Sequence, residues 1–381
     1  MTVADHAEHA PSSISRIIQC PGSRKLCKQF PGIVLDGTRE AAIEGETGHW
    51  VAARTARGEL TPLGTICPTT SLPVTEEMIE GAELWAETIG TPQHIEERLP
   101  PSEEFGPNCW GTPDSWKFGP ETWPAGLMYT LRVSDYKFGH RYVDVFENWQ
   151  LVCYACLIID GVLRLNGLQD QAVKCVFDIV QPRNFTPEGP VRTWSCMASD
   201  LRPLRNRIKA AIAASEKDDA PCVVGYECRD CSARAHCGTL QRAAMSAIEE
   251  STKITPLVLK PEALGLELRM LERAGMLIKA RAAGLREVAM ETITSGVMVP
   301  GFRTETGLGR QRWKVPMPQV VALEAVIGKK LTEPKAVTPK QAIKLGVPEE
   351  VVAMFSETPN GETRLVEDDS TLTRRIFGGA R

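Results

Sequence analysis

Two stretches of the sequence, Trp110-Gly-Thr-Pro-Asp-Ser-Trp-Lys-Phe118 and Leu131-Arg-Val-Ser-Asp-Tyr-Lys-Phe-Gly139, decide how the fold is interpreted. Both are rich in aromatic and β-branched residues, which is typical of strands. Residues that break regular structure fall between them, at Pro120, Pro124 and Gly126. Because such residues mark turns and loops, the pattern predicts two strands joined by a loop and able to pair as a hairpin.

Charged residues on these two strands are spaced so that they can meet. Side chains two residues apart on a strand project from the same face, so Asp135 and Lys137 are expected to project together. If the strands form a hairpin, Asp114 joins them. Two carboxylates at one point repel each other unless a cation lies between them, and a hard divalent cation prefers oxygen ligands. The alternative is a solvated strand edge, since Asp, any residue, Lys is a common tripeptide.

Length and composition limit the classes of protein to consider. A chain of 381 residues can form one large domain or two ordinary ones. Hydrophobic residues make up 43% of the chain and charged residues 24%, which is normal for a globular protein. The formal net charge is -4, so any nucleic-acid binding must come from a local basic patch. The sequence lacks a Gly-x4-Gly-Lys-Ser/Thr phosphate loop, which argues against an ATP-driven motor.

Nothing in the sequence predicts a membrane span or a signal peptide. The most apolar run, from Leu151 to Leu165, is too short and contains Asp160. The N-terminus lacks the basic and apolar regions of a signal peptide. We therefore expect a cytoplasmic protein with no membrane partner.

Apolar spacing and capping residues predict further elements around the hairpin. The helices are predicted at residues 11–20, 38–57, 76–89, 147–165, 198–215 and 262–295, the last as one long helix or a helix pair. The strands are predicted at 94–99 and 172–181. In the second helix, Gly45 and Gly48 precede His49. Each glycine costs the helix about 1 kcal/mol relative to alanine, which indicates that something approaches the backbone closely. The fifth helix carries a basic side that is either a phosphate-facing surface or a solvated face: Arg202, Arg205, Arg207 and Lys209.

Twelve cysteines are many for such a chain, and in a reducing compartment clustered cysteines indicate metal binding. Cys228-x2-Cys231-x5-Cys237 lies in polar surroundings, so its three thiolates can converge on one metal centre. Our choice for a fourth ligand is Cys20, and the alternatives are Cys27, Cys222 and His236. The spacing leaves zinc and an iron–sulfur cluster both open. Cysteines in apolar runs are expected to be buried and unreactive: Cys153, Cys156 and Cys175.

The composition changes after this cysteine group. Residues 249–262 contain two prolines and indicate a linker, so we divide the chain into a domain at 1–245 and a mainly helical domain at 246–381. The second domain carries a basic group with one tryptophan, at Arg310, Arg312, Trp313 and Lys314. This group either stacks on single-stranded DNA or forms a solvated turn.

The motifs together resemble the PD-(D/E)XK nuclease superfamily, written here as Pro113-Asp114 and Asp135-Tyr136-Lys137. A distant N-terminal cysteine with a Cys-x2-Cys-x5-Cys group is similar to the iron–sulfur branch, which includes the nuclease domains of RecB and AddB and the CRISPR-adaptation exonuclease. The similarity covers residues 11–240, and the tail looks like that of a phage- and prophage-encoded family of such nucleases. The motif order of the branch is matched in sequence by His49, Asp114, Asp135-x-Lys137 and Gln150-x3-Tyr154.

The resemblance implies an α/β fold of the restriction-endonuclease type, with a central mixed sheet flanked by helices and an iron–sulfur clamp. It also implies roles for residues. Mg²⁺ or Mn²⁺ would be ligated by His49, Asp114, Asp135 and the backbone carbonyl of Tyr136. Lys137 would position or activate the attacking water, and Gln150 and Tyr154 would line the site and contact DNA. A 4Fe–4S cluster would be held by Cys20, Cys228, Cys231 and Cys237.

The function that follows from the resemblance is a metal-dependent DNA exonuclease, in phage or prophage DNA recombination, replication or repair inside a bacterial host cell. The expected partners are single-stranded DNA or duplex ends, with a phage recombination or single-strand-binding protein and a second copy of the chain as further candidates. Two rival functions are a catalytically inactive DNA-end-binding or scaffold protein and a zinc-bound interaction module. A cleavage assay and a metal analysis separate them from the leading one.

Overall fold

The fold is taken from a computed structural model that describes residues 7–31, 36–124, 126–163, 173–250, 259–305, 322, 346 and 348–355. Contacts group the chain into two units, Met1–Arg303 and Thr304–Arg381. Everything below concerns the first unit. The predicted basic group at Arg310, Arg312, Trp313 and Lys314 lies outside the described residues. Within the described ranges, no helix combines the length and the apolar character needed to cross a membrane.

Five strands form one mixed sheet in the order β1-β2-β3-β4-β5. Neighbouring strands are antiparallel except for β3 and β4, which are parallel. The strands are β1 (His94–Ile95), β2 (Ser115–Trp123), β3 (Gly126–Tyr136), β4 (Val173–Val180) and β5 (Val191–Met197). The predicted hairpin is thus confirmed as β2 and β3, with Ser115 opposite Ser134.

The helices of the first unit lie before the sheet, between its strands and after it. They are α1 (Ile14–Gln19), α2 (Ser23–Gln29), α3 (Asp36–Ala56), α4 (Glu76–Ile89), α5 (Trp149–Ile158), α6 (Arg202–Glu216), α7 (Gly238–Glu250) and α8 (Pro261–Thr294). In helix α4 the sequence shows why the helix begins where it does. The Thr75 hydroxyl caps the first turn by accepting a hydrogen bond from the Met78 amide. The predicted helices at 38–57, 76–89 and 262–295 agree with α3, α4 and α8 within two residues.

Both faces of the sheet are covered by helices. On one face, Leu131 and Val133 of β3 pack with α1, α5 and α6 in the largest apolar cluster. On the other face, Tyr136 packs with Trp85 of α4 and Val51 of α3. Alternate β3 residues therefore serve opposite faces, as the period of a strand requires. The predicted α/β architecture, with a mixed sheet flanked by helices, is confirmed at this level.

The hairpin is longer than predicted, because Pro120 lies within β2 and not in a loop. Proline cannot donate a hydrogen bond. Among the residues that the structure describes, β1 pairs with Ser115 and Trp116 alone, so in that part of the chain β2 has one neighbour at Pro120 and is an edge strand there. The strand predicted at 94–99 is shorter, because β1 contains two residues.

Helix α8 packs on the segment that carries the C-terminal cysteines. Leu277 and Ala280 of α8 join Leu240 in a small apolar cluster. The side chain of Arg234 forms an ion pair with Glu287 of α8. Contacts therefore place α8 in the first unit, while the functional division at residues 245 and 246 stays a prediction.

Candidate functional site

The end of the hairpin brings the two predicted carboxylates together. Asp114 directly precedes β2, and Asp135 is the second-last residue of β3. The Tyr136 amide, which lies between Asp135 and Lys137, donates a hydrogen bond of 2.7 Å to Asp114 Oδ2. This bond fixes one oxygen of Asp114 against β3, so the two carboxylates are held at one corner of the sheet.

Lys137 and Gln150 complete a network around Asp135. Lys137 Nζ lies 2.8 Å from Asp135 Oδ2 and 3.1 Å from its Oδ1. Gln150 Nε2 donates to Asp135 Oδ1 at 3.0 Å, and Lys137 Nζ donates to Gln150 Oε1 at 3.3 Å. The position of Gln150 follows from Asn148, whose side chain caps α5 by accepting from the Gln150 and Leu151 amides. The N-terminus of α5 is thereby anchored at the hairpin end.

His49 reaches the same corner from α3. Its Nδ1 lies 3.5 Å from Asp114 Oδ1, and its ring meets the Tyr136 ring edge-on. The preceding residue, Gly48, is packed so closely that a Cβ there would lie 2.7 Å from Cγ of Phe138. The expected close approach is therefore confirmed at Gly48, whereas a Cβ at Gly45 would meet nothing within 4 Å.

Tyr154 contributes from one turn further along α5, but its hydroxyl is engaged within the protein. It donates a hydrogen bond of 3.0 Å to the carbonyl of Thr112, and the side chain is 5% exposed. This bond holds the segment that leads into Asp114. A contact between Tyr154 and DNA stays a prediction.

Burial and charge act against each other in this site. Burial works to lower the pKa of His49, but the charge of Asp114 outweighs it and the pKa is raised. Burial works to raise the pKa of Asp114, but His49 and Lys137 hold it below its usual value. For Asp135, burial and the nearby Asp114 raise the pKa despite Lys137. Burial is likewise outweighed at Lys137, whose pKa the charges of Asp135 and Asp114 raise. Of the two carboxylates, the negative charge of Asp114 is thus better compensated than that of Asp135.

The donors present suit a hard divalent cation. Asp135 Oδ2 is buried and, among the described residues, has no hydrogen bond of good geometry beside its ion pair with Lys137. Carboxylate oxygens with one imidazole are ligands that Mg²⁺ or Mn²⁺ accepts. In the described part of the chain, no three His, Cys, Asp or Glu side chains already form a metal-binding group. At this corner His49 faces Asp114 and Lys137 faces Asp135, so a cation would compete with these pairs.

Six cysteines gather at a second place, where α1 and α2 meet residues 222–237. One pocket is lined by five of them: Cys20, Cys222, Cys228, Cys231 and Cys237. Backbone amides donate to three of the sulfurs, from Val223 to Cys20 at 3.2 Å, from Gly225 to Cys228 at 3.4 Å and from Leu240 to Cys237 at 3.4 Å. Such bonds stabilise negative charge on sulfur, which metal-bound thiolates carry.

The remaining predicted ligands lie around this pocket. Cys27 Sγ is 3.6 Å from Cys231 Sγ, and this contact is the main cause that lowers the pKa of Cys27 to about 5. Cys222 adjoins Cys20 and Cys237, and burial, followed by these two thiols, raises its pKa to about 12. His236 instead stacks on the Phe30 ring, with 4.1 Å between centroids. All four predicted cluster ligands therefore line one pocket with Cys222, and Cys27 lies beside it. Within the described part of the chain, no three of these thiols are yet arranged as a metal-binding group.

One part of the predicted basic helix face is wrong. Arg205 of α6 points inward, is 8% exposed, and pairs with Glu104 at 3.2 Å and with Asp160. The apolar spacing of the helix turns residue 205 to the core side, where two carboxylates compensate its charge. Arg207 is exposed, and its guanidinium carbon lies 5.0 Å from the centre of the Trp149 ring. Trp149 directly precedes Gln150 in the chain. The cysteines expected to be buried are buried: Cys153, Cys156 and Cys175.

Sequence reasoning missed two residues that hold the site in place. Arg183 is bidentate to Glu44 of α3, at 2.8 Å for each bond, and also contacts Glu77 of α4 at 2.7 Å. Its guanidinium lies 3.9 Å from the centre of the Phe138 ring. Gln181 is fully buried and donates to the carbonyls of Gly139 and Arg141, which follow Lys137. In the sequence, only the position of Gln181 and Arg183 just after β4 could have indicated that they support the site.

A comparison with protein families gives a match over nearly the whole chain. Residues 6–371 match the family model described as "Protein of unknown function (DUF2800)". The match includes the hairpin, α5 and both groups of cysteines, so every residue of the two candidate sites lies within it. The chain belongs to the DUF2800 family.

Proposed function

We propose that the protein is a metal-dependent nuclease that hydrolyses phosphodiester bonds in DNA, most simply as an exonuclease. The observation that carries the proposal is the meeting of His49, Asp114, Asp135, Lys137 and Gln150 at one corner of the sheet. These residues come from α3, from the end of the β2–β3 hairpin and from α5, and their order along the chain resembles the PD-(D/E)XK pattern. A solvated strand edge would not need a buried aspartate that is paired with a lysine and also accepts a hydrogen bond from a glutamine side chain.

The proposed metal is Mg²⁺ or Mn²⁺. His49, Asp114, Asp135 and the carbonyl of Tyr136 would hold it. When bound, such an ion lowers the pKa of water and offsets the charge that grows on the phosphate in the transition state.

The side chains themselves supply orientation and charge. Lys137 brings a fixed positive charge to the point where negative charge develops, which is worth most in a partly buried site. Gln150 holds both Asp135 and Lys137 and so sets their distance. Tyr154 and Gln181 keep the adjoining segments in place from within the protein.

The second proposal concerns the cysteines. We propose that Cys20, Cys228, Cys231 and Cys237 hold a 4Fe–4S cluster that clamps α1 to the segment before α7. Support comes from the shared pocket and from the amides that point at three of the sulfurs. Zinc is the alternative occupant, because all-thiolate ligation suits both.

The proposed partners are DNA, as single strands or duplex ends, and a phage recombination or single-strand-binding protein. The exposed Arg207 beside Trp149 is a local basic contact near the site, in a chain whose net charge is -4. A local contact of this kind is what DNA binding requires here, since the overall charge repels phosphates.

The test is cleavage of end-labelled single-stranded and duplex DNA with Mg²⁺, with Mn²⁺ and with a chelator. We expect metal-dependent cleavage that Asp114→Asn removes. The matched control is Glu121→Gln, which also removes a carboxylate from the hairpin but lies towards its far end. If the parent protein binds DNA and never cuts it, the proposal is wrong and the end-binding or scaffold function takes its place.

A further inference from the structure

One sulfur contact in the cysteine group joins a proposed cluster ligand, Cys231, to a cysteine that the proposed cluster does not use. Cys27 of α2 is not among the four proposed ligands, yet its Sγ lies 3.6 Å from Sγ of Cys231. We propose that Cys27 and Cys231 are a modification site: a thiol pair that a hydroperoxide oxidises to an intramolecular disulfide when no metal group holds Cys231. The inference does not depend on nuclease activity.

The first argument is distance. A disulfide bond is about 2.05 Å long, so the two sulfurs must approach by roughly 1.5 Å. The backbone around them is already held together by contacts that involve no sulfur. The Phe30 and His236 rings stack at 4.1 Å, and Ser232 Oγ donates to the Phe30 carbonyl at 3.3 Å. The pair should therefore stay close after a metal group is lost.

The second argument is access. A comparable sulfur pair exists in the core, where Cys109 Sγ lies 4.0 Å from Cys153 Sγ, but both residues are 0% exposed. Cys27 and Cys231 are only partly buried. An oxidant in water can therefore reach Cys27 and Cys231, but not Cys109 and Cys153. The molecule thus contains its own control for the effect of exposure at similar sulfur separation.

The chemistry balances without further reactants. The Cys27 thiolate attacks one oxygen of the hydroperoxide, the O–O bond breaks, and the sulfur becomes a sulfenic acid. The Cys231 thiolate then attacks that sulfur, the S–O bond breaks, and hydroxide leaves and takes up a proton. In total two thiols lose two electrons and two protons, and hydrogen peroxide becomes two molecules of water.

The disulfide would still hold the N-terminal and C-terminal cysteine segments together, but it would prevent binding of the cluster. The bond joins residues 204 positions apart, so α2 stays tied to the C-terminal cysteine segment. It also occupies Cys231, so a cluster cannot be rebuilt until a reductant opens the disulfide. Oxidation would therefore store the protein in a folded form without its metal group.

The test uses the full-length protein, stripped of metal by a chelator under reducing conditions and then freed of both reagents. One equivalent of hydrogen peroxide is added, free thiols are alkylated after denaturation, and peptides are identified by mass spectrometry. We expect a peptide pair that links Cys27 to Cys231 and the loss of two of the twelve thiols. Cys109 and Cys153 should be recovered as alkylated thiols.

Two variants sharpen the result. In Cys27→Ser the disulfide should not form, and peroxide should consume no pair of thiols. In Cys153→Ser the link between Cys27 and Cys231 should form as in the parent. Recovery of Cys27 as a free thiol, or a link from Cys231 to Cys222 or Cys228 instead, overturns the proposal. If a variant does not fold, the peptide map of the parent protein still decides, because it identifies the linked pair directly.

Discussion

Lys137 is the residue on which the proposed chemistry depends most directly. It is held at two points, by Asp135 and by Gln150, so its charge has a fixed position. Fixed donors at a developing charge are typically worth about 100-fold or more in rate. We expect Lys137→Ala to lower cleavage at least about 100-fold, with DNA binding and fold retained. Initial cleavage rates, fluorescence anisotropy with labelled DNA and circular dichroism measure the three quantities.

The matched control is Lys117→Ala. Lys117 lies on the same hairpin, but its ammonium donates to the carbonyl of Ile89 at the end of α4. Its loss removes the same charge from the protein and should leave the cleavage rate close to that of the parent. Cleavage by Lys137→Ala at the parental rate would remove the proposed role of this lysine.

Glu44 gives a prediction that depends on pH. Its hydrogen bonds to Arg183 hold its pKa below the ordinary value. A carboxyl with a lower pKa in the folded chain stabilises the fold above its unfolded pKa, about 4.3, and this contribution is lost as the pH falls through the folded pKa. Because the Glu44 carboxylate is partly exposed, we expect Glu44→Gln to lower the free energy of unfolding at pH 7 by no more than about 1 kcal/mol.

The measurement is urea unfolding of the parent and Glu44→Gln at neutral and at acid pH. The difference between the two proteins should begin to shrink as the pH falls below the unfolded pKa of about 4.3. It should vanish only once the pH is below the lowered pKa of Glu44 in the folded protein, where the parent also carries a neutral side chain. An equal difference at both pH values would show that the Glu44 charge contributes nothing to stability.

The residues of the site differ in how far the sequence could predict them. Asp135 and Lys137 follow from strand period, and Asp114 from the hairpin, so elementary geometry was sufficient. Arg183 could not be found, because its partners Glu44 and Glu77 lie 139 and 106 residues away and come together only through packing on the sheet. No local pattern carries that information.

At the scale of elements, the position of His49 depends on how α3 packs against the end of β3. A Cβ on Gly48 would lie 2.7 Å from the Phe138 ring, so Gly48→Ala must push α3 and β3 apart. The distance between His49 and Asp114 would increase. Loss of groups that orient metal ligands typically costs about tenfold or more in metal affinity. We expect Gly48→Ala to weaken Mn²⁺ binding by about that factor, measured by titration calorimetry.

Gly45→Ala is the control for this change, since it lies one turn earlier on α3 and its new Cβ would meet nothing within 4 Å. It should leave Mn²⁺ affinity unchanged and stabilise the helix by up to about 1 kcal/mol. Equal Mn²⁺ affinity in the two variants would mean that contact with Phe138 does not position His49.

Helix α4 and strand β5 differ in how well the sequence predicts them. Helix α4 follows from its apolar period, and its predicted bounds agree with the structure, where Thr75 caps its first turn. Strand β5 was missed, because Arg192 is buried within it and interrupts the alternation of apolar and polar residues. Its charge is satisfied by carbonyls that only the folded chain supplies, those of Val143 and Gly189.

For the whole molecule, the cysteine group connects distant parts of the first unit. Cys20 ends α1, which packs beside α5 and α6 over the sheet, while residues 228–237 lie against α8. A metal group bound by both would close a loop of about two hundred residues and restrict the unfolded chain. Stability of the sheet and occupancy of the cysteines should therefore rise and fall together.

The last prediction follows from that coupling. We expect protein purified without oxygen to be brown, with iron and sulfide near four per chain, as a cubane cluster requires. Cys20→Ser should lose most of both and melt several degrees lower. Cys196→Ser, which alters a partly buried cysteine of β5 outside the group, should keep its iron and sulfide. If the protein instead contains about one zinc per chain and no iron, the four cysteines form a zinc site and the proposed cluster is wrong. Unchanged metal content and melting in Cys20→Ser would contradict the clamp, because an N-terminal ligand is what joins the two ends of the unit.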